Sequence, residues 1–202
     1  MPRWVFLRHG ESEANRVRCV TGQSDSPLTE LGREQAATVG EALAGQPFQL
    51  AYCSDLSRAR DTAQIVLSGR NVDLEETPLL AERDVGTFAG RNLDELRDSG
   101  ENHLLLGWHT RPPGGESMAE VALRVLPFLA SLEPVEGPVL VVAHGGVLRI
   151  VVGALDGLDL SDRARWKVRN CESMIRDLAP DTFRKLVVEQ GPHLFPPGDA
   201  HV

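Results

Sequence analysis

Pro138–Ile150 reads PVLVVAHGGVLRI. Pro138–Ala143 is apolar with no polar alternation, the mark of a strand buried on both faces. The run stops at His144-Gly145-Gly146 and passes into an apolar helix through about Leu155. Near the N-terminus the pattern recurs: Trp4–Leu7 is short, aromatic and β-branched, and it stops at Arg8-His9-Gly10. Leu50–Cys53 reads as another buried strand, stopping at Ser54. Helical stripes lie between these strands. Thr29 is an N-cap ahead of Gly32, Ala36, Val39 and Leu43. Ser54 or Asp55 caps a helix whose buried face is Leu56, Ala59, Ala63 and Leu67; Arg58 and Thr62 share a different face. Ser117 and Glu120 form a capping box ahead of Met118, Val121, Val125, Leu129 and Leu132, with a kink expected at Pro127. Strands alternating with helices indicate an α/β fold, a three-layer α/β/α sandwich around a mostly parallel sheet.

The remaining segments carry weaker signals. Val72–Leu74 reads as a third strand, Thr77–Arg91 as loop, and Asn92 as the start of a short helix over Leu93–Ser99. Gly100–Gly115 has no clean period. Glu172–Leu178 and Phe183–Glu189 read as the last two strands, with a mobile Pro/Gly-rich tail from about 191. One domain over residues 1–202 is expected.

Composition excludes several classes. With 42% hydrophobic and 25% charged residues the chain is an ordinary globular sequence, not a disordered or collagen-like one. It carries 21 basic and 29 acidic side chains, a net charge of −8. That balance argues against nucleic acid or an anionic membrane as partner, so any anion site is a local pocket of positive charge. Cys19, Cys53 and Cys171 are widely spaced and form no CxxC pair, which disfavours a disulfide framework or a cysteine zinc site. Trp4–Leu7 is too short for a signal-peptide core, and His144 and Arg149 interrupt the most apolar stretch before it reaches spanning length. A cytoplasmic protein, monomer or homodimer, is expected.

In a parallel sheet, ligands bind beyond the carboxyl ends of the strands. His9, His144 and, one turn after Ser54, Arg58 should therefore share one rim with Arg8. Two guanidiniums grip the oxygens of a tetrahedral anion with forked donors, and Gly10 and Gly145 let backbone approach it closely. Phosphate is the guest such a rim fits. A neutral imidazole beside it is a competent nucleophile, and the surrounding cations keep it neutral. Taken singly, Arg58 beside Arg60 and Asp61 also reads as a solvated salt-bridge face. No HExxH or similar spacing supports a metal.

Five segments then carry a resemblance. RHGES at Arg8–Ser12, SDLSRARDTA at Ser54–Ala63, LLAERDVGTFAG at Leu79–Gly90, PPGGES at Pro112–Ser117 and VVAHGGVLR at Val141–Arg149 together resemble the histidine phosphatase superfamily, which includes the cofactor-dependent phosphoglycerate mutases. The resemblance runs in order over residues 3–150 and takes in the loop Thr21–Thr29; beyond it the match is one of general character. It implies that His9 becomes phosphohistidine, that Arg8, Arg58 and His144 bind the transferring phosphoryl group, and that Glu82 protonates the leaving oxygen and then helps activate water. It also implies that Asn15, Thr21, Gly22 and Gln23 border the substrate phosphate. Arg83-Asp84-Val85-Gly86 is the phosphatase-like version of its segment, and Gly86–Pro113 is short for a mutase. Between Glu82 and Pro112 the chain offers only Arg83, Arg91, Arg97 and Arg111 for a second anion, with five acids interspersed. The expectation is a phosphomonoesterase acting on a small phosphorylated metabolite with no metal and no cofactor. The alternative is a phosphoglycerate mutase; a protein phosphohistidine phosphatase and a non-catalytic phospholigand-binding protein stand behind it.

Overall fold

Four strands pair in parallel and a fifth runs against them. The computed structural model describes residues 1–194, and in it the order across the sheet is β3-β2-β4-β1-β5. The strands are β1 (Arg3–Arg8), β2 (Leu50–Ser54), β3 (Leu74–Thr77), β4 (Val139–Ala143) and β5 (Ser173–Asp177). The helices are α1 (Glu13–Arg16), α2 (Glu30–Ala42), α3 (Ser57–Val66), α4 (Leu93–Asp98), α5 (His103–Leu106), α6 (Met118–Ser131), α7 (Gly145–Leu155), α8 (Leu160–Arg165) and α9 (Thr182–Leu194).

The two-residue period of the strands divides the core in two. Trp4, Phe6, Tyr52, Val139 and Val141 face α6, α7 and α9. Val5, Leu7, Cys53, Leu140 and Val142 face α2 and α3. Helices thus cover both faces of the sheet, the expected sandwich. Every residue of β4 is buried, as its unbroken apolar run requires. A third, small cluster of Val85, Phe88 and Leu96 lies outside the sheet, joined by Val20, Leu104 and Leu105.

Local signals held where a cap or stripe was present. Thr29 Oγ1 accepts from Gly32 N at 3.0 Å to start α2, and the Ser117–Glu120 box opens α6, which runs on through Pro127. Asn92 caps α4. Other elements differ from the expectation. The N-cap of α3 is Leu56 rather than Ser54 or Asp55; Ser54 Oγ instead accepts from Leu56 N at 3.2 Å. β3 begins two residues later than Val72. Phe183–Glu189 is helix α9, not a strand. Phe183 and Leu186 are buried and Val187 packs beside them, a three-and-four spacing, while Val188 is exposed. The buried Glu133 carboxylate accepts from Phe183 N and Arg184 N and so closes the first turn of α9. The helix continues past 191 to Leu194; the rest of the expected tail lies outside the described residues. Short helices α1, α5 and α8 occupy stretches without a sequence period.

Candidate active site

β1 and β4 are neighbours in parallel register, with Arg8 opposite Ala143. One residue further on, His9 and His144 lie side by side, their ring centroids 5.1 Å apart. The rim expected from the strand endings is therefore real, and the pairing register decides it.

His9 is held from three sides. Its N–H donates to Ala143 O at 3.0 Å, and its carbonyl accepts from Cys171 N at 3.2 Å and Asn170 Nδ2 at 3.2 Å. Its Nδ1 lies 2.7 Å from Gly10 O. A carbonyl only accepts, so Nδ1 carries the proton and Nε2 keeps a free lone pair. Burial first, then the Arg8 and Arg58 charges, hold His9 well below the usual imidazole value. At neutral pH it is a neutral imidazole. His144 is fully buried and pushed the same way, by burial and then Arg58. Neither of its ring nitrogens has a hydrogen-bond partner among the described residues. An unpaired buried imidazole is costly, and the fold holds this one directly beside His9.

Arg58 is 2% exposed, which rules out the salt-bridge face that its neighbours suggested. It donates to Ser24 O at 3.0 Å and Gly22 O at 2.7 Å. Thr62 Oγ1 donates to Arg58 O and accepts from Gly10 N at 3.0 Å, tying α3 to the loop after β1. Arg8 donates to Val168 O at 2.6 Å, and its buried Nε has no partner among the described residues. Arg149 donates to Trp166 O at 2.7 Å, so both arginines hang on one short segment.

Glu82 reaches the same place from the loop after β3. Its Oε2 accepts from Gly146 N at 3.2 Å and its Oε1 from Arg83 N at 2.9 Å. The carboxylate thus sits on the N-terminus of α7, where negative charge is favoured. Only glycine permits this seat: a Cβ on Gly146 would come 2.2 Å from Oε1. Glu82 O accepts from Arg124 and Gln23.

These groups line a cavity of about 290 Å³ that holds Arg8, His9, Arg58, Glu82 and Arg149 at its charged end. Asn15, Thr21 and Gly22 line it. Asn15 Oδ1 is committed to Ser12 N and Asn170 Nδ2. Gly22 has φ +54°, and a Cβ there would meet Val85 at 2.8 Å and Arg83 O at 2.9 Å. Gln23 does not line the cavity; it braces Glu82 and Glu116 from outside. Gly145 does not line it either, and the backbone N–H that matters is that of Gly146, which Glu82 occupies. His144 sits behind the lining, against His9. Sequence reasoning missed Asn170, Arg124, Gly146 and Arg149 as parts of the site. Asn170 belongs there because β5 is antiparallel, so the residues before it lie at the end of β1. Among the described residues no cluster of three His, Cys, Asp or Glu side chains suits a metal. No helix among them is long and apolar enough to cross a membrane.

The sequence profile of the Histidine phosphatase superfamily (branch 1) matches residues 4–190. A 2,3-bisphosphoglycerate-dependent phosphoglycerate mutase of Methylobacterium radiotolerans is 38% identical over 203 residues, covering 92% of this chain and 95% of the relative. A mycobacterial glucosyl-3-phosphoglycerate phosphatase, solved with VO3, superposes with a TM-score of 0.79 at 30% identity over 87% of this chain and 92% of its own. The alpha-ribazole phosphatase of Shigella flexneri gives 0.77 at 31% identity over 88% and 91%.

Proposed function

The chain belongs to the histidine phosphatase superfamily, and we propose that within it this protein is a metal-independent phosphomonoesterase that works through phosphohistidine at His9. The observation that carries this reading is the His9 imidazole, its proton fixed on Nδ1 by Gly10 O and its charge suppressed by burial and two arginines. Nε2 attacks phosphorus, the P–O bond to the alcohol breaks, and Glu82, in its protonated form in the substrate complex, gives that proton to the leaving oxygen. Arg8, Arg58 and Arg149 balance the charge on the equatorial oxygens, as phosphoryl transfer chiefly requires. The His144 N–H is the neutral donor of the set. Water then attacks phosphorus, its proton returns to Glu82, and the P–N bond breaks to release phosphate. Three guanidiniums supply the positive charge that a metal would otherwise bring.

Phosphoglycerate mutase is the second reading, and the comparisons lean towards it. The sequence relative of that name is more identical to this chain than the phosphatases are. The geometry favours water as acceptor. A mutase must hold the carboxylate or second phosphate of its substrate on further cations. Arg83 is committed to the carbonyls of Leu104, Leu105, Thr110 and Glu116. Arg91 pairs with Glu101, Arg97 with Asp94 and Arg111 with Glu120. The deciding experiment supplies 3-phosphoglycerate with a trace of 2,3-bisphosphoglycerate and follows 2-phosphoglycerate and free phosphate together. Hydrolysis predicts net phosphate with little isomerisation; rapid interconversion without phosphate release establishes the mutase.

A further inference from the structure

Part of the cavity lining has a different chemistry. Val20, Val85, Leu93, Leu105, Leu106 and Met118 make it up. Val85 and Met118 are buried, but Leu93 and Leu105 keep part of their surface and Leu106 is 47% exposed. An exposed leucine on the wall of a cavity is apolar surface that an occupant would cover. Val85, with Phe88 and Leu96, anchors this wall in the small third cluster, and Val20 and Leu105 pack on it. The wall is thus a built surface and not a loose edge.

No cation stands among these residues. Arg83, which also lines the cavity, has its guanidinium directed to four carbonyls behind the wall. Arg149 belongs to the charged end: its Nε is on Trp166 O, two residues from the Val168 O that holds Arg8. Arg8 feels the charges of both Arg58 and Arg149, so the three guanidiniums are grouped in one place. A carboxylate on the alcohol would find no free cation among these apolar side chains, whereas a hydrocarbon body would cover them.

Resting on the phosphatase reading above, we infer that the substrate is a monophosphate ester of a compact alcohol with an aliphatic or monocyclic aromatic body, and that the wall of Leu93, Leu105 and Leu106 selects it. Apolar burial then sets the specificity. Each methylene placed on the wall should raise kcat/KM about three- to fourfold until the wall is covered.

The test uses the full chain and a series of n-alkyl phosphates from methyl to hexyl, with phenyl phosphate, glycerol 3-phosphate and 3-phosphoglycerate beside them. Phosphate release and acid-labile phosphoenzyme are measured for each. The expected result is a rise in kcat/KM from methyl to about butyl, with 3-phosphoglycerate at least about a hundredfold below butyl phosphate. Leu105→Ala and Leu106→Ala should each reduce the butyl-to-methyl ratio at least about threefold. A phosphoenzyme that forms and turns over with no dependence on chain length overturns this inference and leaves the phosphatase reading standing. So does a preference for 3-phosphoglycerate with phosphate release. Failure of every ester to phosphorylate the enzyme overturns both.

Discussion

The two ends of the cavity are built by different means. The charged end is carried by the sheet: His9 and His144 leave adjacent strands in register, and the backbone around them is held by residues from α3, the loop before β5 and β4 itself. The apolar wall comes largely from residues 85–118, a stretch that contributes no strand; Val85, Phe88 and Leu96 form a small buried cluster there, while Trp108 and Met118 pack into the main core. On the reading proposed here, chemistry that needs fixed distances sits on the sheet, and selection of the alcohol on a stretch outside it. A family with one reaction and many substrates can be built this way, because the wall can change without disturbing the strand ends.

The largest expected effect tests whether the charged end holds the chemistry. His9→Ala should lower kcat/KM by about 10⁴-fold or more and abolish the phosphoenzyme, with the thermal unfolding temperature little changed. Activity near the parent level would remove the nucleophile from the argument. Arg58→Ala comes next, at about 10²–10³-fold in kcat, the range for loss of one charge-stabilising donor. Unlike His9→Ala it should also destabilise, since Gly22 O and Ser24 O lose their donor.

Glu82→Gln separates acid catalysis from charge binding. Its cost should be about 10²-fold for alkyl phosphates and far smaller for p-nitrophenyl phosphate, whose leaving group needs no proton. Equal losses on the two would point to another acid. Gly146→Ala should reproduce a weaker version of this pattern, because its Cβ would displace the Glu82 carboxylate.

The smallest effects concern stability. His9 and His144 are held neutral by burial and by Arg8 and Arg58, with Arg124 adding to His144. Once unfolded they titrate near 6.5, so below that pH the unfolded chain binds more protons than the folded one. Stability is fully present above about pH 6.5 and should fall as pH drops, by up to about 1.4 kcal/mol per pH unit for each histidine. Unfolding temperature measured from about pH 7.5 to about pH 5.5 should decline, and His144→Gln should flatten the slope. In hydrogen exchange, amides of α4 and α5 should exchange well before those of β1 and β4, since a small satellite cluster opens more readily than the main core. Equal protection would show that wall and sheet form one cooperative unit and undo the contrast.

The charged end was largely legible in the sequence. Arg8-His9-Gly10 and His144-Gly145-Gly146 stand at the ends of unmistakable strands, and Arg58 shares a helical face with Thr62, the residue that joins it to Gly10. Glu82 was reached only through the resemblance, since a loop acid has no period to mark it. Strand and helix faces recur at fixed local spacings, so β1, β2, β4, α2, α6 and α7 could be read from order alone. The helix at Phe183 was misread because paired valines suggest a strand, while the Glu133 carboxylate that closes its first turn lies 50 residues away.

What only the tertiary structure decided are the properties of partners distant in sequence. The direction of β5 carries Asn170 to the carbonyl of His9, and nothing within the strand encodes that direction. The four carbonyls that occupy Arg83 come from residues 21 to 33 positions further on, and they turn a basic residue of the cavity segment away from any substrate. Gly145 and Gly146 are equivalent in the sequence; the seat of Glu82 distinguishes them. Local periodicity records which face a residue presents. Hydrogen-bond and charge satisfaction depend on which other segment arrives there, and that is settled only when the chain has packed.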